Sequence, residues 1–306
     1  MSRSPSNTTP AARPAPLPVA GQPFTHGNGF DALSFRHSQF DGAMDPLVMV
    51  DHYTMSEPTF GAHPHAGMSA VSILFEDSVG RFHNRDSLGH RIDLLPGDLY
   101  WLKAGRGAVH DEAPTPGSRT HGLQVFVNLP AAHKQDAPDA LHISHTDMPV
   151  LTGEGYRVRL VLGETGGIEG AHSPALPMTI LDGQLEVAGT FRHASPAGHA
   201  VWILAVEGEL AVRLDETATP DANPAATPTS ADALTRIPAG QAVALPAADL
   251  ARTLTLASSK GAHFALLQAV PVREAFVQQG PFVMSSQEEI NTVQAAYARG
   301  ELGSVD

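Results

Sequence analysis

Short runs rich in apolar residues, some alternating apolar with polar, recur along the chain between Gly, Pro, Asn and Asp punctuation, the pattern of strands joined by turns. Residues 69–75 (SAVSILF), 98–102 (DLYWL), 122–129 (GLQVFVNL) and 156–162 (YRVRLVL) are the clearest examples in the first half. In the second half, 184–188, 201–206, 209–214, 241–245, 253–257 and 263–270 read the same way. GLQVFVNL alternates over part of its length, as a half-buried strand does. Many short strands at regular spacing predict a sandwich or barrel. Only the end of the chain departs from this pattern. Ser286 and Glu289 form a capping box, Ile290, Val293 and Tyr297 follow on one helical face, and Gly300 is placed to stop the helix.

The two halves also resemble each other. SILFEDSVGRFHN (72–84) and WILAVEGELAVRL (202–214) both read as a strand, an acidic glycine turn and a return strand. LLPGDLYWL (94–102) and RIPAGQAVAL (236–245) both place a Pro–Gly-type turn before a strand. This internal similarity predicts a duplicated barrel. With 306 residues the chain is long enough for two domains. The division expected is 23–150 and 151–306, preceded by a disordered tail over 1–22 that is rich in Pro, Ala, Ser and Thr. Residues 216–232 lack apolar periodicity and are full of Pro, Thr and Ala, so a long mobile loop is expected there.

Composition narrows the function classes. The net charge is −13, with 19 basic against 32 acidic residues and no basic run, which argues against direct nucleic-acid binding. There is no cysteine, so disulfides, thiolate chemistry and cysteine-based zinc sites are excluded. No apolar stretch approaches the roughly 20 residues needed to span a bilayer, and the N-terminus lacks a signal-peptide core. A cytoplasmic protein with no membrane partner is the expectation.

The chain holds 16 histidines, and their grouping is informative. In His63-Pro64-His65 two imidazoles at i and i+2 of an extended segment point the same way. In His110-Asp111-Glu112 the imidazole and the carboxylate share a face while Asp111 points away. If both pairs line one barrel, they form a site of three histidines and one carboxylate with positions left for water, substrate or dioxygen. Imidazole suits Fe, Ni, Cu and Zn, and spacing does not choose among them; oxygen chemistry would favour iron(II), since zinc has no redox chemistry.

The stretch from Gly61 to Pro114 resembles the core of the pirin family of the cupin superfamily. The matching pieces are HPHxG (63–67), HNRDSLG (83–89), PGDLYWLKAGRGAVHDE (96–112) and GLQVFVNLP (122–130). DPLVMVDHY (45–53), GETGG (163–167) and GPFVMSSQEEINTVQAAYARGELG (280–303) extend the resemblance over roughly 25–303. It implies an all-β fold of two tandem cupin barrels of jelly-roll type with a short C-terminal helix. It also implies one metal, usually iron, in the N-terminal barrel, held at the positions of His63, His65, His110 and Glu112. Mn and the other divalent metals named above stay open. Two functions follow as expectations. One is a quercetin 2,3-dioxygenase-type oxidoreductase acting on a flavonol, with Glu112 as the catalytic proton acceptor. The other is a non-enzymatic, iron-dependent redox sensor that binds a regulatory protein partner.

The family usually reads HPHRGFETV, whereas this chain has HPHAGMSAV, so Ala66, Met68 and Ser69 replace an arginine, a phenylalanine and a glutamate. His193, His199 and His263 do not repeat the ligand pattern, and the second barrel is expected to be metal-free. His83, Asp86 and His90 read as a polar turn before an outer layer of the site. Asp51-His52 orients a ligand or holds a strand edge. Arg106 neutralises Glu112, binds an anionic substrate or holds its turn. Trp101 and Phe126 read as barrel core, and His121, His133, His142, His145 and His172 as solvent-exposed.

Overall fold

The computed structural model describes residues 16–216 and 234–305. The mobile loop expected over 216–232 lies, beyond Glu216, outside the described residues, as do the first fifteen residues of the expected tail. The rest forms two antiparallel β-barrels, each a seven-stranded sheet facing a four-stranded one.

In the first barrel the large sheet runs in the order Asp139–Ile143, Leu99–Lys103, Met68–Leu74, Thr120–Asn128, Leu47–Met55, Phe30–Arg36, Gln22–His26. Its small sheet is His63–His65, Ala108–Pro114, Phe82–Asp86, Arg91–Leu94. The second barrel repeats this plan. Its large sheet orders Val19–Ala20, Gln241–Leu245, Ala200–Gly208, Ala262–Ala269, Met178–Leu185, Tyr156–Leu162, Val150–Gly153. Its small sheet is Thr190–Ser195, Arg252–Ala257, Leu210–Glu216, Thr235–Ile237. The internal likeness of 72–84 and 202–214 is therefore topological: in both barrels this stretch leaves a central strand of the large sheet and enters the small one.

One edge strand crosses between the barrels. Val19 and Ala20 pair with Ala242 and Gln241, so a segment preceding the first barrel closes the large sheet of the second. The disordered tail expected up to residue 22 thus gives way to ordered strand by Val19. The composition of 16–22 carried no strand signal because the pairing surface lies more than two hundred positions away.

The large sheets pack back to back. Phe35, Phe75, Trp101 and Val125 of the first meet Trp202, Leu204 and Leu267 of the second in one apolar layer. Phe35 meets Trp202 edge to face at 5.4 Å between ring centroids. Fully burying side chains of this size contributes about 1.5–3 kcal/mol each. Arg159 crosses the layer, donating to the Gly97 and Leu74 carbonyls of the first barrel at 2.7 and 3.4 Å and to Asp182 at 2.6 Å. Burial alone would raise the pKa of Asp182, but His263 and Arg159 hold it below the usual carboxylate value.

The strand expected at 184–188 is longer and earlier, Met178–Leu185. Asp182-Gly183 has the look of a turn, yet Asp182 is consumed by Arg159 and His263. A Cβ at Gly183 would stand 2.2 Å from the Phe264 ring, so this glycine lets an aromatic lie across the strand. The C-terminal helix is Gln287–Ala298; Ser286 Oγ accepts from the Glu289 backbone N–H at 3.2 Å. Ile290 and Val293 are buried, whereas Tyr297 is exposed. Among the described residues no helix is long and apolar enough to cross a membrane.

Candidate metal centre

Strand His63–His65 pairs antiparallel with Ala108–Pro114, with His110 opposite His63 and Ala108 opposite His65. The pairing brings together two i, i+2 pairs that lie more than forty positions apart. The Nε2 atom of His110 lies 3.0 Å from those of both His63 and His65. Two imidazole nitrogens bound at right angles to one ion at about 2.1 Å would be separated by about 3.0 Å, and at a tetrahedral angle by about 3.4 Å. The spacing fits a single ion with further positions open.

The protonation states fit as well. His63 donates from Nδ1–H to the Gly61 carbonyl at 2.8 Å, which leaves the Nε2 lone pair facing the cluster. Burial lowers the pKa of all three imidazoles. For His65 burial and the neighbouring His63 bring it to about 3, against the opposing Pro281 carbonyl. For His110 the other two imidazoles add to burial. All three are neutral at pH 7, the form that binds a metal.

Glu112 shares the cluster's barrel wall but stands apart from the converging nitrogens, its Oε2 3.9 Å from His110 Nδ1. Among the described residues the grouping of converging donors is His63, His65 and His110. Burial, with a contribution from Asp111, raises the Glu112 pKa to about 7 against a hydrogen bond from Ser72. Ser72 Oγ donates to Glu112 Oε1 at 2.7 Å and lies 3.0 Å from the Gln124 side chain. A hydroxyl has one proton to give, so Gln124 serves this chain best with its amide nitrogen turned toward Ser72. Neither Ser72 nor Gln124 stood out in the sequence, although both fall on the barrel-facing side of predicted strands.

The remaining residues singled out from the sequence sort clearly. Trp101 lies in the inter-barrel layer, whereas Phe126 is only partly buried and meets the His65 ring edge to face at 5.1 Å. Asp86 accepts from the backbone N–H groups of Leu88 and His90 and from the Tyr100 hydroxyl, and His83 pairs with Asp93. These contacts support the polar-turn reading. Asp51 accepts from Ser34 on the adjacent strand. Arg106 is exposed and lines a surface groove against the C-terminal helix with Gln135 and Thr292.

Three histidines read as solvent-exposed are instead tied into the structure. His121 is buried, donates to Asp77 and faces His52 Nε2 at 2.8 Å. His142 and His145 both bond to Asp98. Burial alone would raise the Asp98 pKa, but these hydrogen bonds bring it to about 2. In the second barrel His193 bonds to Thr165 and Gln268, and His263 to Asp182.

Of the departures at 66–69, Ala66 packs in an apolar cluster with Val109, Phe282 and Ile290 beneath the C-terminal helix. Met68 packs against Val48 and Val283, and Ser69 is fully buried. The loop after His65 nevertheless meets a cation. Lys134 Nζ donates to the Gly67 carbonyl at 2.8 Å, to Asn128 at 2.6 Å and to the Val283 carbonyl at 2.8 Å. Burial lowers the Lys134 pKa to about 8.

The family model described as Pirin matches residues 16–127, and that described as Pirin C-terminal cupin domain matches 180–303. Pirin of Mus musculus is 33% identical over 249 residues, covering 81% of this chain and 79% of its own. A Pseudomonas aeruginosa protein provisionally described as a quercetin 2,3-dioxygenase is 29% identical, covering 92% of this chain and 95% of its own. Among solved structures, a quercetin 2,3-dioxygenase from Acinetobacter baumannii superposes with a TM-score of 0.77 at 24% identity, over 93% of this chain and 96% of that one. A bacterial pirin from Escherichia coli in complex with nickel(II) superposes with a TM-score of 0.58 at 17% identity, over 82% of this chain and 96% of that one.

Proposed function

Because the chain belongs to the pirin family of bicupins, we propose that its N-terminal barrel is a quercetin 2,3-dioxygenase-type centre. The carrying observation is the convergence of three neutral imidazoles, with His110 Nε2 3.0 Å from that of each of the other two, beside a buried carboxylate. His63, His65 and His110 would hold a divalent transition metal, iron(II) by preference, with Glu112 as the fourth ligand. Such a metal supplies Lewis acidity toward the flavonol hydroxyl and a path for electrons to dioxygen. The reaction would open the heterocycle with dioxygen and release carbon monoxide.

The chain's own residues prepare this chemistry. The hydrogen bond to Gly61 fixes the tautomer of His63, so its lone pair faces inward. Phe126 holds the His65 ring edge to face. Glu112, seated on Ser72, would accept the proton of the flavonol hydroxyl on swinging off the metal. The nickel complex of the Escherichia coli pirin and the quercetin 2,3-dioxygenase name carried by the Acinetobacter protein support the reading.

A second reading, a redox sensor for a regulatory protein, draws on one observation. The turn after strand His63–His65 is bonded to the hairpin of Val277–Gln279 and Phe282–Met284 through Val283 N–H to the Ala66 carbonyl and through Lys134. A change at the metal would thus reach the surface around the C-terminal helix.

The test is metal analysis of the purified protein under anaerobic conditions, then oxygen uptake with quercetin. About one equivalent of redox metal with quercetin-dependent uptake, abolished in Glu112→Gln, is expected. Bound metal without uptake on any flavonol sinks the dioxygenase reading and leaves the sensor. The sensor would then have to show partner affinity that changes with oxidation state.

A further inference from the structure

The metal-binding histidines differ in exposure: His65 and His110 are 1% and 2% exposed, whereas His63 is only partly buried. The cluster is therefore reached from the His63 side. On that side stands Phe60, its ring centroid 6.3 Å from that of His63 and its residue 42% exposed. Phe60 thus sits at the rim of the core beside a candidate ligand histidine, with much of its surface open.

Phe60 is also held in place. Its ring stacks on His26 at 4.9 Å and 9°, and meets Phe30 edge to face at 4.9 Å. Phe24 extends the array, stacked beside His26 and edge-on to Phe30. The loop carrying Phe60 sits directly on the turn between strands Gln22–His26 and Phe30–Arg36, with Ser56 N–H bonded to the Gly29 carbonyl at 2.8 Å. A Cβ at Gly29 would stand 2.6 Å from Glu57 Cβ, so glycine permits this close seat. The outermost strand, exposed along its whole length, thereby contributes two rings to an aromatic ladder that ends at a metal ligand.

We propose that Phe60, backed by His26 and Phe30, is the stacking face for a planar aromatic ligand whose oxygen donors reach the metal at the triad. The proposal rests on the metal-centre reading above and deepens it to a positioning residue, Phe60, whose ring would select a flat aromatic over a small aliphatic acid. The ladder supplies what such a ligand needs. Phe60 offers an exposed ring, His26 is stacked parallel behind it, and the histidine triad lies at one end, so stacking and chelation would act on a single rigid molecule.

The experiment uses the full-length, iron-loaded protein, titrated without oxygen with quercetin and, separately, with acetohydroxamate, an oxygen chelator that has no aromatic ring. Phe60→Ala is expected to raise the quercetin Kd by roughly five- to tenfold. Acetohydroxamate affinity and iron content should not change, and Phe60→Trp should retain quercetin affinity. Unchanged quercetin affinity in Phe60→Ala overturns the stacking face. So does a parallel loss of acetohydroxamate binding, which would make Phe60 a structural support, and so does a wild-type protein that binds no quercetin. Phe60-dependent quercetin binding without oxygen uptake in air would keep the stacking face and remove the dioxygenase reading.

Discussion

The small sheets of the two barrels can be laid over each other strand by strand, and what faces inward then differs. In the first, His110 stands opposite His63, with Glu112 two residues further along. In the second, the strand pairing sets Leu254 opposite His193, with Leu256 two residues further along. One histidine thus occupies a matching place in both barrels, but its surroundings are opposite. Leu254 and Leu256 join Phe191, Leu210 and Phe264 in an apolar core, and His193 is held by Thr165 and Gln268. The first barrel has an apolar cluster that includes Tyr53 and Tyr100, and it also buries His65, His110 and the Glu112 carboxylate. The two barrels share one scaffold plan, and a handful of inward positions decides whether the interior is filled with leucines or with imidazoles and a carboxylate.

The largest expected effect tests that contrast directly. His110→Ala should lose its metal on dialysis, measured by elemental analysis, while His193→Ala keeps wild-type metal content. A full equivalent retained in His110→Ala would break the assignment. Next in size, Leu254→Ala should cost about 2–5 kcal/mol in denaturant unfolding while leaving the metal affinity of the folded protein unchanged. A fall in metal affinity would show that the barrels are coupled more tightly than their separate cores imply.

Smaller again, Ser72→Ala removes the hydrogen bond that seats Glu112 and should weaken metal affinity by about tenfold, read by competition with a chelator. An unchanged affinity would reduce Ser72 to a packing residue. The least effect concerns acid stability. Burial, with the charges of His121 and His263 adding to it, lowers the His52 pKa to about 3. Below its ordinary value of about 6.5 the unfolded chain binds a proton that the native protein refuses, so stability falls as pH drops from there toward 3. His52→Gln should make that decline shallower in thermal melts between pH 4 and 7; an unchanged slope would exclude His52 as a source of it.

Much of the architecture is local and could be read from the chain. Tyr156–Leu162 and Gln241–Leu245 fall where the apolar pattern places them. Ser286 caps the helix because a side-chain oxygen three residues before a free backbone N–H satisfies it whatever else is nearby. The face shared by each pair, His63 with His65 and His110 with Glu112, was legible for the same reason: a period of two fixes which side chains of a strand point the same way. Alternation did not give the distance: Glu112 lies beside the converging nitrogens rather than among them.

What the tertiary structure alone decided is which strands become neighbours. Sheet order sets Ser72 against Glu112 across 40 positions and Lys134 against Gly67 across 67. It also sets Val19 beside Ala242 and Phe60 on His26. Alternation along a strand says only that a residue faces inward or outward. Which partner it meets depends on strand pairings closed over long loops, and that information is spread over the whole chain.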